Sequence, residues 1–155
     1  MVSFDFEVVV DVPLARLWAA VKDSNKIMPA ALPKIFDSIE HVEGVDGEAG
    51  AVRRINFGPV LPPGSYVKEK LVSIDQANKT VVAEEVEGGH LAIGFSKWVA
   101  HLKLTEEGDK TKLSFNFDVE GEGPAVGPAI EQVKLGTPMT MNALAKHIID
   151  HGLYA

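Results

Sequence analysis

"EGVDGEAGAVRR", residues 43–54, sets Gly44, Gly47 and Gly50 just ahead of Arg53 and Arg54. Glycines beside positive charge can cradle a phosphate, or they can turn the chain between two strands. A phosphate loop of the G-x-x-x-x-G-K-[ST] type needs a lysine for the phosphates and a hydroxyl for magnesium. Here Gly50 is followed by Ala51 and Val52, so both groups are missing. A dinucleotide fingerprint opens a helix. "AVRRINF" instead alternates like a strand. The glycines therefore predict a structural loop joining two antiparallel strands.

Working outward, the same alternation recurs. Residues 2–12 set Phe4, Phe6, Val8, Val10 and Val12 on one side and mostly Ser3, Asp5, Glu7 and Asp11 on the other, the pattern of a half-buried strand. Pro13 then opens "PLARLWAAVKDS", with Leu14, Leu17, Trp18 and Val21 on one helical stripe. "NKIMPAAL" predicts a second short helix, ended by Pro33. Further strands are expected at 35–43, 51–57, 65–74, 79–86, 90–104 and 111–120, parted by turn-forming stretches such as "GPVLPPG", "DQANK" and "TEEGDK". Short turns between consecutive strands imply antiparallel neighbours. Residues 127–150 carry Ile130, Val133, Thr137, Met141, Leu144 and Ile148 at helical spacing, with a kink expected at Gly136–Pro138. The architecture is α+β: seven antiparallel strands that bury one face under a long C-terminal helix. Residues 1–155 read as one domain, without repeats or linkers.

The net charge of −7 argues against nucleic acid or anionic membrane as the main partner, because phosphate binding rests on clustered Lys and Arg. Cysteine is absent, which excludes disulfides, thiolate catalysis and Cys-ligated metal and fits a reducing, cytoplasmic setting. The first residues lack the basic start of a signal peptide, and no apolar run reaches the ~18 residues of a membrane helix.

Charge appears where an inner face is expected. In "SYVKEKLVSID", Tyr66, Lys68, Lys70, Val72 and Ile74 share one face; Val67, Glu69, Leu71 and Ser73 share the other. A lone buried carboxylate is costly unless partnered. An inward Glu69 is then a polar handle in a ligand cavity, unless the strand end is wet or a bulge exchanges the faces. One of Arg53 and Arg54 must also face inward, either to pair with such a glutamate or to meet a ligand. In 90–104, His90, Ala92, Gly94, Ser96, Trp98 and Ala100 share a face. Its small residues leave volume for the helix or for a small molecule.

Other chemistry finds little support. No H-E-x-x-H or G-x-S-x-G motif occurs. His147 and His151 have metal-ligand spacing, but also suit a helix C-terminus, and no metal or other cofactor is expected. Glu84–Glu85 and Glu120–Glu122 read as solvated carboxylates.

Taken in order, "VPLARLWAAV", "LPKIFDSIEHVEGVDGEAGAVRRINF", "YVKEKLVSID", "VEGGHLAIGF" and the final helix resemble the plant pathogenesis-related class 10, or Bet v 1-like, family. The resemblance covers essentially the whole chain. It implies a helix-grip fold: a curved seven-stranded sheet around the C-terminal helix, closed at one end by two short helices. It also implies a large, mostly apolar cavity for small hydrophobic ligands such as plant hormones and secondary metabolites, in a cytoplasmic monomer or weak dimer. The glycine-rich loop of that family lies between two strands.

"YVKEKL", "EGGHL" and "LGTPMTM" are most similar to the branch with cytokinin-specific binding proteins and norcoclaurine synthase. Glu69 matches the glutamate that holds an adenine-type ring in the former, while Val67 replaces a polar neighbour and Thr137 or Thr140 would supply a helix hydroxyl. The expected ligand-lining set is Glu69, Val67, Tyr66, Arg53, Phe57, His90, Trp98, Thr137, Thr140 and Met141. In the synthase, a lysine and an aspartate complete the site; Val81 and Ala100 stand at the corresponding positions here. The resemblance therefore implies a binding protein with no catalytic residues. The alternative is a cyclase or isomerase with Glu69 as base and Tyr66 and His90 as acids. The abscisic-acid receptors, echoed in "VLPPG" and "GGHL", and the ribonuclease activity attributed to the family are weaker alternatives.

Overall fold

The structure is a computed structural model that describes residues 2–155. Its elements run β1 (Val2–Val10), α1 (Leu14–Lys22), α2 (Ser24–Ala31), β2 (Phe36–Glu43), β3 (Val52–Phe57), β4 (Tyr66–Asp75), β5 (Thr80–Gly88), a 3-10 turn (Gly89–Ala92), β6 (Phe95–Glu107), β7 (Lys110–Gly121) and α3 (Val126–Asp150). All neighbouring strands are antiparallel, in the order β1-β7-β6-β5-β4-β3-β2. This is the expected helix-grip architecture.

The core forms where period-2 strands bring their apolar residues to one face. In β7, Thr111, Leu113, Phe115, Phe117 and Val119 are buried and the residues between them are not. Phe117 stacks on Phe4 of β1 with centroids 4.9 Å apart, and Phe115 on Phe6 at 5.3 Å. Trp98 of β6 meets Phe4 edge-on at 6.0 Å. Burying such side chains stabilises by about 1.5–3 kcal/mol each. From the helices, Leu17 and Trp18 of α1 and Leu144 and Ile148 of α3 close this core.

The long helix makes its close contacts with β1 and α2. Facing it from the middle of the sheet, Leu71, Ile74, Val81, Ala83, Ala100 and Leu102 remain only half-buried, as do Val133, Thr137 and Met141 on the helix. Solvent therefore reaches apolar side chains on the inner face of β4–β6.

Three irregularities decide which residues lie on this inner face. Val86 is the extra residue of a β5 bulge opposite Lys68–Glu69, and Val72 that of a β4 bulge opposite Val82–Ala83. Ser96 is the third, opposite Glu120–Gly121. Each skipped residue is exposed. Beyond Val72 the faces exchange, so Ile74 joins Leu71 inside rather than Val72 and Lys70 outside.

The 90–104 expectation also needs correction. Residues 89–92 form the 3-10 turn, not strand, and the bulge at Ser96 turns Phe95 inward beside Trp98. The expected face of small residues from His90 to Ser96 does not exist. α3 runs through Gly136 and Pro138 as one uninterrupted helix, with the Asn142 amide donating to the Pro138 carbonyl at 3.0 Å.

The opening stretch is the β2–β3 loop. Gly44, Gly47 and Gly50 take φ of 77°, 83° and 94°, left-handed values that glycine adopts without strain. Gly50 N–H then donates to the Leu71 carbonyl at 2.7 Å, fixing the loop to β4.

Candidate functional site

At one end of the inner face the apolar lining gives way to three polar side chains on adjacent strands and a fourth on the 3-10 turn. The register pairs Arg53 of β3 with Glu69 of β4, and Glu69 with Glu85 of β5. Period-2 alternation puts all three on the side of Ile55, Val67 and Ala83. Arg53 Nε and Nη2 donate to Glu69 Oε1 at 3.1 and 2.7 Å. Its Nη1 reaches across to α2, donating to Ser24 Oγ at 2.8 Å and Asn25 Oδ1 at 2.9 Å. Arg53 thus joins the sheet to the short helices, and both of its bonds to Glu69 fall on Oε1, leaving Oε2 without a bond to the guanidinium.

Glu85 is the more buried carboxylate, its side chain 8% exposed. It accepts twice from the next turn: His90 N–H at 2.7 Å on Oε1 and His90 Nδ1 at 2.7 Å on Oε2. The imidazole lies flat on Trp98, centroids 3.5 Å apart and 5° from parallel, and edge-on to Phe95 at 5.6 Å. Gly89 makes this fold-back possible. Its φ is 52°, and a β-carbon there would sit 2.6 Å from Glu85 Oε1 and 2.7 Å from Val67 Cγ2.

Arg53, Val67, Glu69, His90 and Trp98 therefore converge at this end, with Phe57 on the same face beside Phe36 at 6.2 Å. Thr137, Thr140 and Met141 are half-buried on α3. Tyr66 does not converge with them. It faces outward, where Oη donates to Glu87 Oε2 at 2.9 Å and the Arg54 guanidinium lies 3.9 Å from its ring. The bond to Glu87 raises the phenol pKa. Val81 and Ala100 are inward, apolar and half-buried.

Glu85 was expected in solvent; its inward place follows from sharing parity with Val81 and Ala83, a signal present in the sequence. Ser24 and Asn25 gave no such signal, because their partner lies 28 or more positions away.

A groove of about 710 Å³ crosses the outer face of β1, β7, β6 and β5, edged by Asp5, Glu7, His101, Lys103 and Asn116. It lies on the opposite side of the sheet from the polar cluster. His147 and His151 stack at 4.1 Å, with His151 Nδ1 bonded to the His147 carbonyl at 3.0 Å. Among the described residues, no three His, Asp or Glu side chains group as metal ligands, and no helix is long and apolar enough to cross a membrane.

A curved antiparallel sheet gripping one long helix, with half-buried apolar residues and a small polar cluster on its inner face, is the fold of a class of ligand-binding proteins. The chain belongs to the polyketide cyclase/dehydrase and lipid transport family, whose model matches residues 1–150, and its relatives are Bet v 1-like, pathogenesis-related class 10 proteins. It is 31% identical over 128 residues to norbelladine synthase of Narcissus pseudonarcissus, covering 79% of this chain and 78% of the relative. It is 26% identical over 153 residues to the major pollen allergen Bet v 1-M/N of Betula pendula, covering 96% and 94%. Norcoclaurine synthase from Thalictrum flavum, solved in complex with dopamine and hydroxybenzaldehyde, has the same fold, with a TM-score of 0.76 at 21% identity over 97% of this chain and 87% of that one.

Proposed function

We propose that this protein binds and carries small, mostly apolar metabolites in the hollow between α3 and the sheet, with cytokinin-like, ring-nitrogen ligands favoured, in the cytoplasm and as a monomer or weak dimer. One observation carries the reading: an inward Arg53–Glu69 pair, 2.7 Å apart, stands beside Glu85 at the end of a mostly apolar face that solvent can reach. Apolar contact supplies most of the affinity, and the polar end supplies orientation. Glu69 Oε2 accepts from a ligand N–H while Oε1 stays on Arg53. His90 and a helix hydroxyl from Thr137 or Thr140 are the further polar contacts.

Calorimetric titration with a cytokinin, followed by recovery of the ligand, tests this. Saturable binding that Glu69→Gln weakens about tenfold, or about 1.4 kcal/mol, with ligand returned unchanged, is the expected result. No heat and no displacement of an apolar dye would remove cytokinin as the ligand.

The similarity to norbelladine synthase favours a second reading, an enzyme of specialised metabolism. Val81 and Ala100 supply neither a lysine nor an aspartate, so acid–base chemistry would fall to Glu69, Glu85 and His90. An enzyme consumes its ligand, and the recovery step separates the two readings.

A further inference from the structure

The Glu85–His90 pair is more ordered than a binding contact requires. A carboxylate can only accept, so the imidazole proton lies on Nδ1, where Glu85 Oε2 holds it at 2.7 Å. The second carboxylate oxygen is held by the backbone N–H of the same residue at 2.7 Å. Trp98 fixes the ring plane from one side and Phe95 from its edge. Tautomer, tilt and position are thus all set, and the neutral ring keeps a lone pair on Nε2. An acceptor carboxylate behind Nδ1 also stabilises the imidazolium formed when Nε2 takes a proton.

From this arrangement we propose that Glu85–His90 is a general base built into the hollow, able to remove a proton from a weakly acidic C–H of a bound apolar ligand. The proposal rests on the reading of the hollow as a ligand site. The ligand class is a flat, apolar carbon acid, such as an aryl ketone or heteroarene. The charged groups on this part of the inner face are Glu85 on β5, Glu69 on β4 and Arg53 on β3; β6 offers Trp98 and Phe95, and from α3 the Lys134 ammonium lies 5.7 Å from the ring of Phe4, which packs on Trp98.

Nitrobenzisoxazole is a suitable probe, since its ring opening needs only a base. His90 Nε2 takes the ring C–H proton, the C–H electron pair forms the nitrile as the N–O bond breaks, and a coloured phenoxide leaves. The imidazolium then returns its proton to water. Displacement of anilinonaphthalene sulfonate by the same probe reports occupancy of the hollow separately.

The expected result is ring opening faster than with free imidazole at equal concentration. His90→Phe, which keeps the stacking on Trp98, should lose about a hundredfold, within the roughly 10²–10⁴ a positioned base contributes. Glu85→Gln should lower the rate while dye affinity holds. Nitrogen NMR of the unmodified protein should find the neutral ring protonated on Nδ1, a readout independent of how the variants fold. Dye displacement with no His90-dependent rate would overturn the base and leave the binding reading intact. A folded His90→Phe as fast as the parent, or a ring protonated on Nε2, would also overturn it. No displacement would overturn both.

Discussion

Arg53 and Glu69 face each other across β3 and β4, with two guanidinium nitrogens 3.1 and 2.7 Å from one carboxylate oxygen and the third 2.8 Å from Ser24 on α2. The ion pair is therefore also the bolt between the sheet and the short helices. Arg53→Ala is expected to cost about 1–3 kcal/mol, because it leaves a half-buried carboxylate and two α2 acceptors without their donor. Arg53→Lys should recover only part of this, since an ammonium cannot reproduce the planar fork. Urea denaturation of the three proteins measures both effects.

Ala83 and Ala100 pair across β5 and β6 on the inner face and are only half-buried. If they line open volume, a larger side chain fits without strain. Ala100→Leu is expected to weaken dye binding at least about tenfold while the melting temperature holds or rises. In an already filled core the same change overpacks and costs about 1–3 kcal/mol. Thermal melts with dye titration separate these outcomes.

Thr111 is fully buried at the start of β7, where its hydroxyl donates to the Val12 carbonyl at 2.7 Å. This bond fastens the exit of β1 to the sheet. Thr111→Val keeps the shape but strands that carbonyl, with an expected loss of about 1–3 kcal/mol. Thr111→Ser restores the hydroxyl and should recover much of the loss in the same denaturation experiment.

Tyr154 Oη donates to Asp23 Oδ2 at 2.5 Å, fastening the chain beyond α3 to the α1–α2 junction. Arg16 holds the same segment, its Nη2 2.9 Å from the Leu153 carbonyl. Burial, then the bond to Asp23, raises the Tyr154 phenol above its ordinary value of 10.0. A raised acid favours folding while it is neutral. Its contribution is complete below about pH 10 and is lost as the pH climbs toward the folded value. Unfolding free energy should decline above about pH 10, less steeply in Tyr154→Phe, which should cost about 0.5–1.5 kcal/mol at neutral pH. Denaturant midpoints across the alkaline range test the slope.

Much of the fold is legible in local pattern. Alternation in 2–12 and 111–120 marks β1 and β7, and the stripe from Ile130 to Ile148 marks α3, because burial of one face imposes period 2 or 3.6 on the chain. The glycine loop is legible too, since a missing lysine and hydroxyl and a following strand leave only a turn. The inward Glu69 follows from parity with Val67.

What the pattern conceals is where parity breaks. Val72, Val86 and Ser96 are each one residue too many, and nothing in their own chemistry announces it. A bulge forms because two strands must match in length and curvature, a property of the pair rather than of either segment. The same reason hid the site. Period and turn chemistry determined the strands, the helices and the side of the sheet that Glu69 occupies. Only tertiary packing brought Ser24 to Arg53 and folded His90 back onto Glu85 and Trp98, because such contacts arise between segments whose separation in space the local sequence does not encode.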